Sequence, residues 1–311
     1  ELLFGLGSHE EGYPCINGNF IPLYQENMRI SVPHFVSTKG YSYLIDNTSF
    51  MTFDCTNNKK VKLYIDCADS VDFYFLCGDF DSVCREYRCL TGATPMLPKS
   101  ALGYIQSKCE YKNQQELLEI VKKYRELSVP LDMIVQDWQY WNENCWGDKN
   151  LDLKRFPDMT ACINELHNLG AKIMISIWPN VSGDSDNKRE FEKKNMLLAD
   201  GSVYNAFDEN ARKTYWEQAY NGLFRHGIDA WWCDCTEPYE VGWCGERREP
   251  LDIRMAKTID EFKKYIDNSL VNVYSLFHSK GIYENQRKMS EKRVFNMTRS
   301  GYAGQHRYAT A

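Results

Sequence analysis

The chain has 311 residues, 43% hydrophobic and 26% charged, an ordinary globular mixture with length for about two domains. Its net charge of −6 argues against nucleic acid or an anionic membrane as partner. No apolar run reaches the roughly 18 residues that a transmembrane helix needs, so none is expected.

The opening Glu1-Leu2-Leu3-Phe4-Gly5 carries neither Met nor a signal-peptide pattern and reads as the interior of a longer gene product. Twelve cysteines are scattered along the chain. Cys109, Cys162 and Cys233 fall inside expected helices or strands, as buried thiols often do. The close pairs Cys233/Cys235 and Cys84/Cys89 lack CxxC spacing. A reducing compartment is expected, with a cytoplasmic setting favoured and no structural zinc. Nothing in the chain speaks to its oligomeric state, and a homo-oligomer stays open.

In chain order, the first 95 residues are β-rich. Apolar and aromatic runs at Ile30–Val36, Tyr41–Ile45, Val61–Ile65 and Val71–Leu76 alternate with turn clusters, the spacing of an antiparallel sandwich. Thr91 to Pro98 reads as a linker. From residue 96 to 311 the rhythm becomes strand, helix, strand. Ala101–Ser107 is a short strand, and Gln114–Leu127 an amphipathic helix with Asn113 as N-cap. Leu131–Val135 is a strand ending in Gln136-Asp137-Trp138, and Thr160–Leu169 a helix closed by Gly170. Ala171–Ile177 is a strand ending in Trp178-Pro179. The polar stretch 182–204 reads as a loop insertion or lid. Ala211–Arg225 is a helix, Ile228–Trp232 a strand ending at Asp234, and Met255–His278 one long amphipathic helix. Arg293–Met297 is a fifth strand before Thr298-Arg299-Ser300. This alternation predicts a parallel sheet, either a (β/α)8 barrel or doubly wound.

Polar and aromatic residues gather at the strand ends, at Gln106, Asp137-Trp138, Trp178, Asp234 and Arg299, where both folds place their sites. A dinucleotide or nucleotide site would need GxGxxG or GxxxxGK[ST], and neither occurs. The six histidines (His9, His34, His167, His226, His278 and His306) show no ligand spacing, and His9-Glu10-Glu11 is not HExxH, so neither metal nor other cofactor is expected. A site of carboxylates and aromatics suits glycoside hydrolysis. A retaining enzyme uses one ionised carboxylate as nucleophile and a second carboxyl roughly 5 Å away as acid and base. Asp234, flanked by Trp and followed by Glu237, fits the first role. A strand-end Asp is also a ready helix N-cap, and the local run does not decide between the two.

The run Gly227-Ile228-Asp229-Ala230-Trp231-Trp232-Cys233-Asp234-Cys235-Thr236-Glu237-Pro238 resembles the nucleophile segment of glycoside hydrolase family 31. Further segments follow that family in order. They are Phe4 to Gly7 and Gly40 to Asn47 in its sandwich, then Leu102 to Ser107, Asp137 to Trp141, and Phe156-Pro157-Asp158. Gly170 to Pro179, Ala206 to Trp216, and Thr298 to Gly304 with Arg307-Tyr308 complete the series. The resemblance spans nearly the whole chain and implies the C-terminal part of an N-terminal β-sandwich domain over 1–95 and the first part of a (β/α)8 barrel over 96–311, about five strands of it.

Position by position, the resemblance implies that Asp234 is the nucleophile and that Asp137 holds sugar hydroxyls in the −1 subsite. Trp178 and Trp232 would wall that subsite, Arg299 would support nucleophile and sugar, and Glu237 would hydrogen-bond near the nucleophile. Each has a plainer reading. Asp137 could cap a turn, the tryptophans could be core, Arg299 could be an ion-pair partner, and Glu237 could begin a loop. The family's acid/base aspartate follows Trp-x-Gly-Asp a few residues beyond Arg307-Tyr308, past Ala311, so the 311 residues alone are expected neither to close a barrel nor to turn over substrate. The segments around Asp137, Trp178 and Asp234 resemble the α-xylosidase branch more than the α-glucosidases, and a Trp where a hexose carries C6 would favour a pentose. The expected partner is an α-xyloside or α-glucoside oligosaccharide. Transglycosylation, a catalytically silent sugar-binding barrel and a metal-dependent hydrolase are the other readings.

Overall fold

The computed structural model describes residues 1–57, 59–241 and 249–311, which divide into two compact units. One contains residues 1–94, 235–277 and 299–307, and the other 95–234, 278–298 and 308–311.

Among the described residues the first unit is built on seven antiparallel strands, and along Arg29–Ser37, Tyr41–Asp46 and residues 51–55 buried and less buried side chains alternate with the period of two that a one-sided sheet requires. Strands β1 (Leu3–His9), β3 (Arg29–Ser37), β4 (Tyr41–Asp46) and β7 (Asp72–Cys77) form one sheet in the order β1-β3-β4-β7. Strands β2 (Phe20–Leu23), β5 (Met51–Asn57) and β6 (Lys60–Ile65) form the second, in the order β2-β5-β6. Leu3, Leu6 and Phe35 of the first sheet share a core with Ile21, Leu23, Met51 and Phe53 of the second, so the two pack as a sandwich.

Helix α1 (Phe80–Thr91), which the β-rich pattern hid, follows β7 and is capped by the Asp79 carboxylate accepting from the Ser82 N–H. Buried polar groups tie residues beyond 235 to these sheets. The Asn272 amide donates to the Leu23 and Ser49 carbonyls at 3.0 and 2.7 Å, and Arg254 pairs at 2.9 Å with Glu26, itself 1% exposed.

In the second unit five strands are all parallel: β8 (Ile105–Gln106), β9 (Met133–Gln136), β10 (Lys172–Ile177), β11 (Ala230–Cys233) and β12 (Asn296–Thr298). Their order in the sheet is their order in the chain. A doubly wound sheet reverses order at a switch point, whereas a barrel advances one strand at a time, so this is the incomplete (β/α)8 barrel. Helices α2 (Gln114–Glu126), α3 (Met159–Asn168), α4 (Asp186–Lys193) and α5 (Glu209–Gly222) fill the crossovers. Asn113 caps α2 by accepting from the Glu116 N–H at 3.0 Å, and Asp158 caps α3 by accepting from the Ala161 N–H at 2.9 Å. Gly170, at φ +73°, takes the left-handed turn that ends α3.

Three further elements differ from the sequence expectation. The single helix expected over Met255–His278 is two, α6 (Leu251–Tyr265) and α7 (Tyr274–Met289). Ile266 is extended, and Asp267 accepts from the Ser269 N–H at 2.8 Å to form a 3-10 turn. Such short polar side chains compete with helix bonding, while the apolar rhythm persists because Ile266, Val271 and Val273 are buried in the turn itself. The stretch 182–204 holds α4, capped by Ser185 and burying Phe191 alone among large apolar residues, too few for a periodicity to show. The strand expected over Ala101–Ser107 shrinks to two residues, because Lys99–Leu102 coils into a 3-10 turn.

Candidate active site

The alternation of the parallel strands decides which side chains share a face. Met133 and Val135 of β9, Met174 of β10, Ala230 of β11 and Phe295 form one apolar cluster, with Trp232 and Met297 packed against it. Two residues further along each strand, the same face reaches Asp137, Ser176 and Asp234. The register puts Ser176 beside Trp232, and Ile175 beside Gln136, so Asp137 and Ser176 lie level with Trp232 at the C-terminal edge and Asp234 follows two residues beyond.

Asp137 is half-buried there and its carboxyl is pushed up to about 6. Desolvation is the main cause, and the charge of Asp234 adds to it. Hydrogen bonds from the Ser176 hydroxyl and the Trp138 N–H oppose the shift. The carboxyl groups at the ends of β9 and β11, the strands on either side of β10, therefore sense each other. The Asp234 N–H donates to the Ile177 and Trp232 carbonyls, both at 3.2 Å, which holds the residue at the mouth of β11. Cys235, at φ +52°, then turns the chain away through a conformation costly for a non-glycine residue.

Aromatic rings crowd the same edge. Trp178 is 2% exposed and lies edge-on to Trp138 and Trp141, with ring centres 5.7 and 4.8 Å apart. Trp138 also meets Trp141 and Trp146, at 5.1 and 5.7 Å, and keeps part of its surface in solvent. Trp232 is half-buried above the core cluster.

Asp137, Asp234, Trp178 and Trp232 are thus brought together in one unit, while Glu237 and Arg299 lie in the other. There the Arg299 guanidinium pairs with Glu237, which is 1% exposed, and with Glu240 at 3.2 Å, and it approaches the Cys235 sulfur at 3.4 Å. Thr236 and Ser300 share a hydrogen bond of 2.7 Å, which fastens the same two segments.

Sequence reasoning missed Ser176, Trp138 as the hub of the tryptophans, and Glu240. Ser176 had a signal, as a lone hydroxyl in a run of Ile and Met at the parity of the core face. Cys109 is exposed on a bend rather than inside an element, whereas Cys162 and Cys233 are buried thiols. Among the described residues no group of three or more His, Cys, Asp or Glu could hold a metal ion, and no helix is long and apolar enough to cross a membrane.

Residues 94–311 match the family model described as the glycosyl hydrolases family 31 TIM-barrel domain. The chain belongs to glycosyl hydrolase family 31. Among its relatives, an α-xylosidase of Saccharolobus solfataricus is 36% identical across 99% of this chain, which covers 42% of that protein. Alpha-glucosidase 2 of Bacillus thermoamyloliquefaciens is 27% identical across 93% of the chain, covering 38% of its own length. The crystal structure of a family 31 α-xylosidase from a soil metagenome, complexed with xylose, has a TM-score of 0.86 at 27% identity. That match covers 99% of this chain and 46% of the other. The chain spans less than half the length of these relatives.

Proposed function

We propose that the protein carrying this chain is a retaining α-glycoside hydrolase acting on terminal α-linked sugars, with an α-xyloside as first substrate. The observation that carries this reading is the convergence of Asp137 and Asp234 at the C-terminal edge of a parallel barrel sheet, beneath a wall of tryptophans. Asp234 would attack the anomeric carbon from the face opposite the leaving group, giving a β-linked glycosyl-aspartate. Water would then attack from the first face, and the two inversions restore the α configuration.

Asp137, once ionised, would accept hydrogen bonds from sugar hydroxyls. Trp178 and Trp232 would wall the subsite, and the pair Glu237–Arg299 would hold the segments that follow the nucleophile. No residue of this chain is assigned the proton transfer to the leaving group. In the same reading residues 1–95 belong to the sandwich and 96–311 to the barrel. The partner is an oligosaccharide, and a reducing, cytoplasmic setting suits the buried thiols of Cys55, Cys162 and Cys233.

The aromatic wall and the α-xylosidase relatives favour a pentose, since a ring can fill the space that a hexose CH2OH would need. α-Glucosidase is the second reading, supported by the α-glucosidase relative. The whole protein, assayed on aryl α-xyloside and aryl α-glucoside and then trapped with a fluorinated sugar, tests both readings. The label is expected on the peptide holding Asp234. A label elsewhere removes the assignment, and loss of turnover on adding a chelator would favour a metal-dependent hydrolase.

A further inference from the structure

Lys149, in the crossover after β9, is 1% exposed. Its ammonium lies 4.0 Å from the centre of the Tyr215 ring and 5.8 Å from that of Phe191, and it donates to the Gly147 carbonyl at 3.2 Å. Among the described residues it forms no ion pair. Desolvation holds the amine down to about 7, with the neighbouring Asp148 opposing the shift. A cation kept out of water, compensated by two rings, one carbonyl and the neighbouring Asp148, is still costly, and a buried methionine would avoid that cost.

The surroundings hold this charge in a fixed place. The Lys149 N–H donates to Asn187 of α4 at 3.0 Å. Gly222 of α5 approaches so closely that a Cβ there would meet the Lys149 carbonyl oxygen at 1.9 Å. Tyr215, the ring under the ammonium, is itself 1% exposed and stacks on Tyr204 at 4.3 Å. Its hydroxyl donates to the Trp178 carbonyl at 2.8 Å. One ring therefore links the buried charge to the main chain at the end of β10, and Trp178 in turn braces Trp138.

We propose that Lys149 is a positioning residue, whose ammonium clamps the Tyr215 ring so that the Tyr215 hydroxyl fixes Trp178 in the wall of the sugar site. The proposal rests on reading that strand edge as the sugar site. Lys149→Met keeps the stem and removes the charge. Tyr215→Phe keeps the ring and removes the hydroxyl.

The test uses the whole protein, as both single variants and their double, assayed on aryl α-xyloside and aryl α-glucoside with thermal melting in parallel. Each single variant should lower kcat at least about fivefold while folded, and the double should be no worse than the poorer single, as expected for one shared route. A lysine that serves stability alone would lower the melting temperature and leave kcat and KM of the folded enzyme at wild-type values. That result overturns the proposal, and so does multiplication of the two single defects.

Should Lys149→Met fail to fold, Tyr215→Phe decides by the same kcat criterion. If the unmodified protein turns over neither glycoside, the sugar-site reading fails instead. The emission lost on Trp178→Phe, compared with and without Lys149→Met, then tests the clamp. A changed Trp178 contribution supports it, and an unchanged one overturns it.

Discussion

Replacing Asp137 by asparagine should stabilise the protein at neutral pH while removing its proposed activity. Folding raises this carboxyl from 3.8 to about 6, chiefly through desolvation, with Asp234 adding repulsion. A group whose pKa is raised on folding contributes stability that is fully present below its unfolded value and lost as pH rises through its folded value. Here the loss runs from about pH 4 to about pH 6. At roughly 1.4 kcal/mol per pH unit, the difference amounts to about 3 kcal/mol of unfavourable charge burial at neutral pH.

The carboxyl keeps some contact with water, so screening reduces that figure. Asparagine also gives up part of the hydrogen bonding with Ser176, worth about 1 kcal/mol. The net gain expected at neutral pH is about 1–2 kcal/mol, and near pH 4, where the charge contribution has vanished, the lost hydrogen bonding leaves the variant about 1 kcal/mol less stable than wild type. Urea unfolding of wild type and variant at the two ends of this window measures it. A difference that does not change with pH, or a wild type more stable than the variant at neutral pH, would refute the reasoning.

Because Asp137 must be ionised to accept hydrogen bonds from the sugar, kcat/KM should fall about tenfold per pH unit below about pH 6; a profile flat to pH 4 would exclude that role. Gly222→Ala drives a Cβ into the Lys149 backbone, so it should cost about 1–3 kcal/mol, read as a lower melting temperature. Asp229, near the start of β11, accepts from His167 at 2.7 Å and from the Ile173 N–H at 3.1 Å, with Lys172 and Lys292 alongside. Asp229→Ala should destabilise by about 1–3 kcal/mol, and unfolding at a wild-type urea midpoint would show that the cluster contributes nothing.

Much of this protein was legible before folding because the relevant signals are local. Alternation of apolar residues marked the strands. Asn113 announced its cap, and the strand–helix alternation placed Asp137 and Asp234 at strand ends of one parallel sheet, which the family resemblance made a barrel. Period-two geometry then requires that residues at the same parity as a buried Val or Ala face the same way, so both aspartates reach one edge.

The break at Ile266 was not legible, since the turn after it buries apolar side chains as regularly as a helix would. Nor was α4, whose one large buried apolar residue makes no pattern. The links from Arg299 to Glu237 and Glu240, from Ser176 to Asp137, and from Lys149 through Tyr215 to Trp178 join residues that lie about 37 to 66 positions apart. No local preference encodes such pairs. They form only when the crossovers close over the sheet and exclude water, which is also what gives a buried charge or carboxyl its altered chemistry.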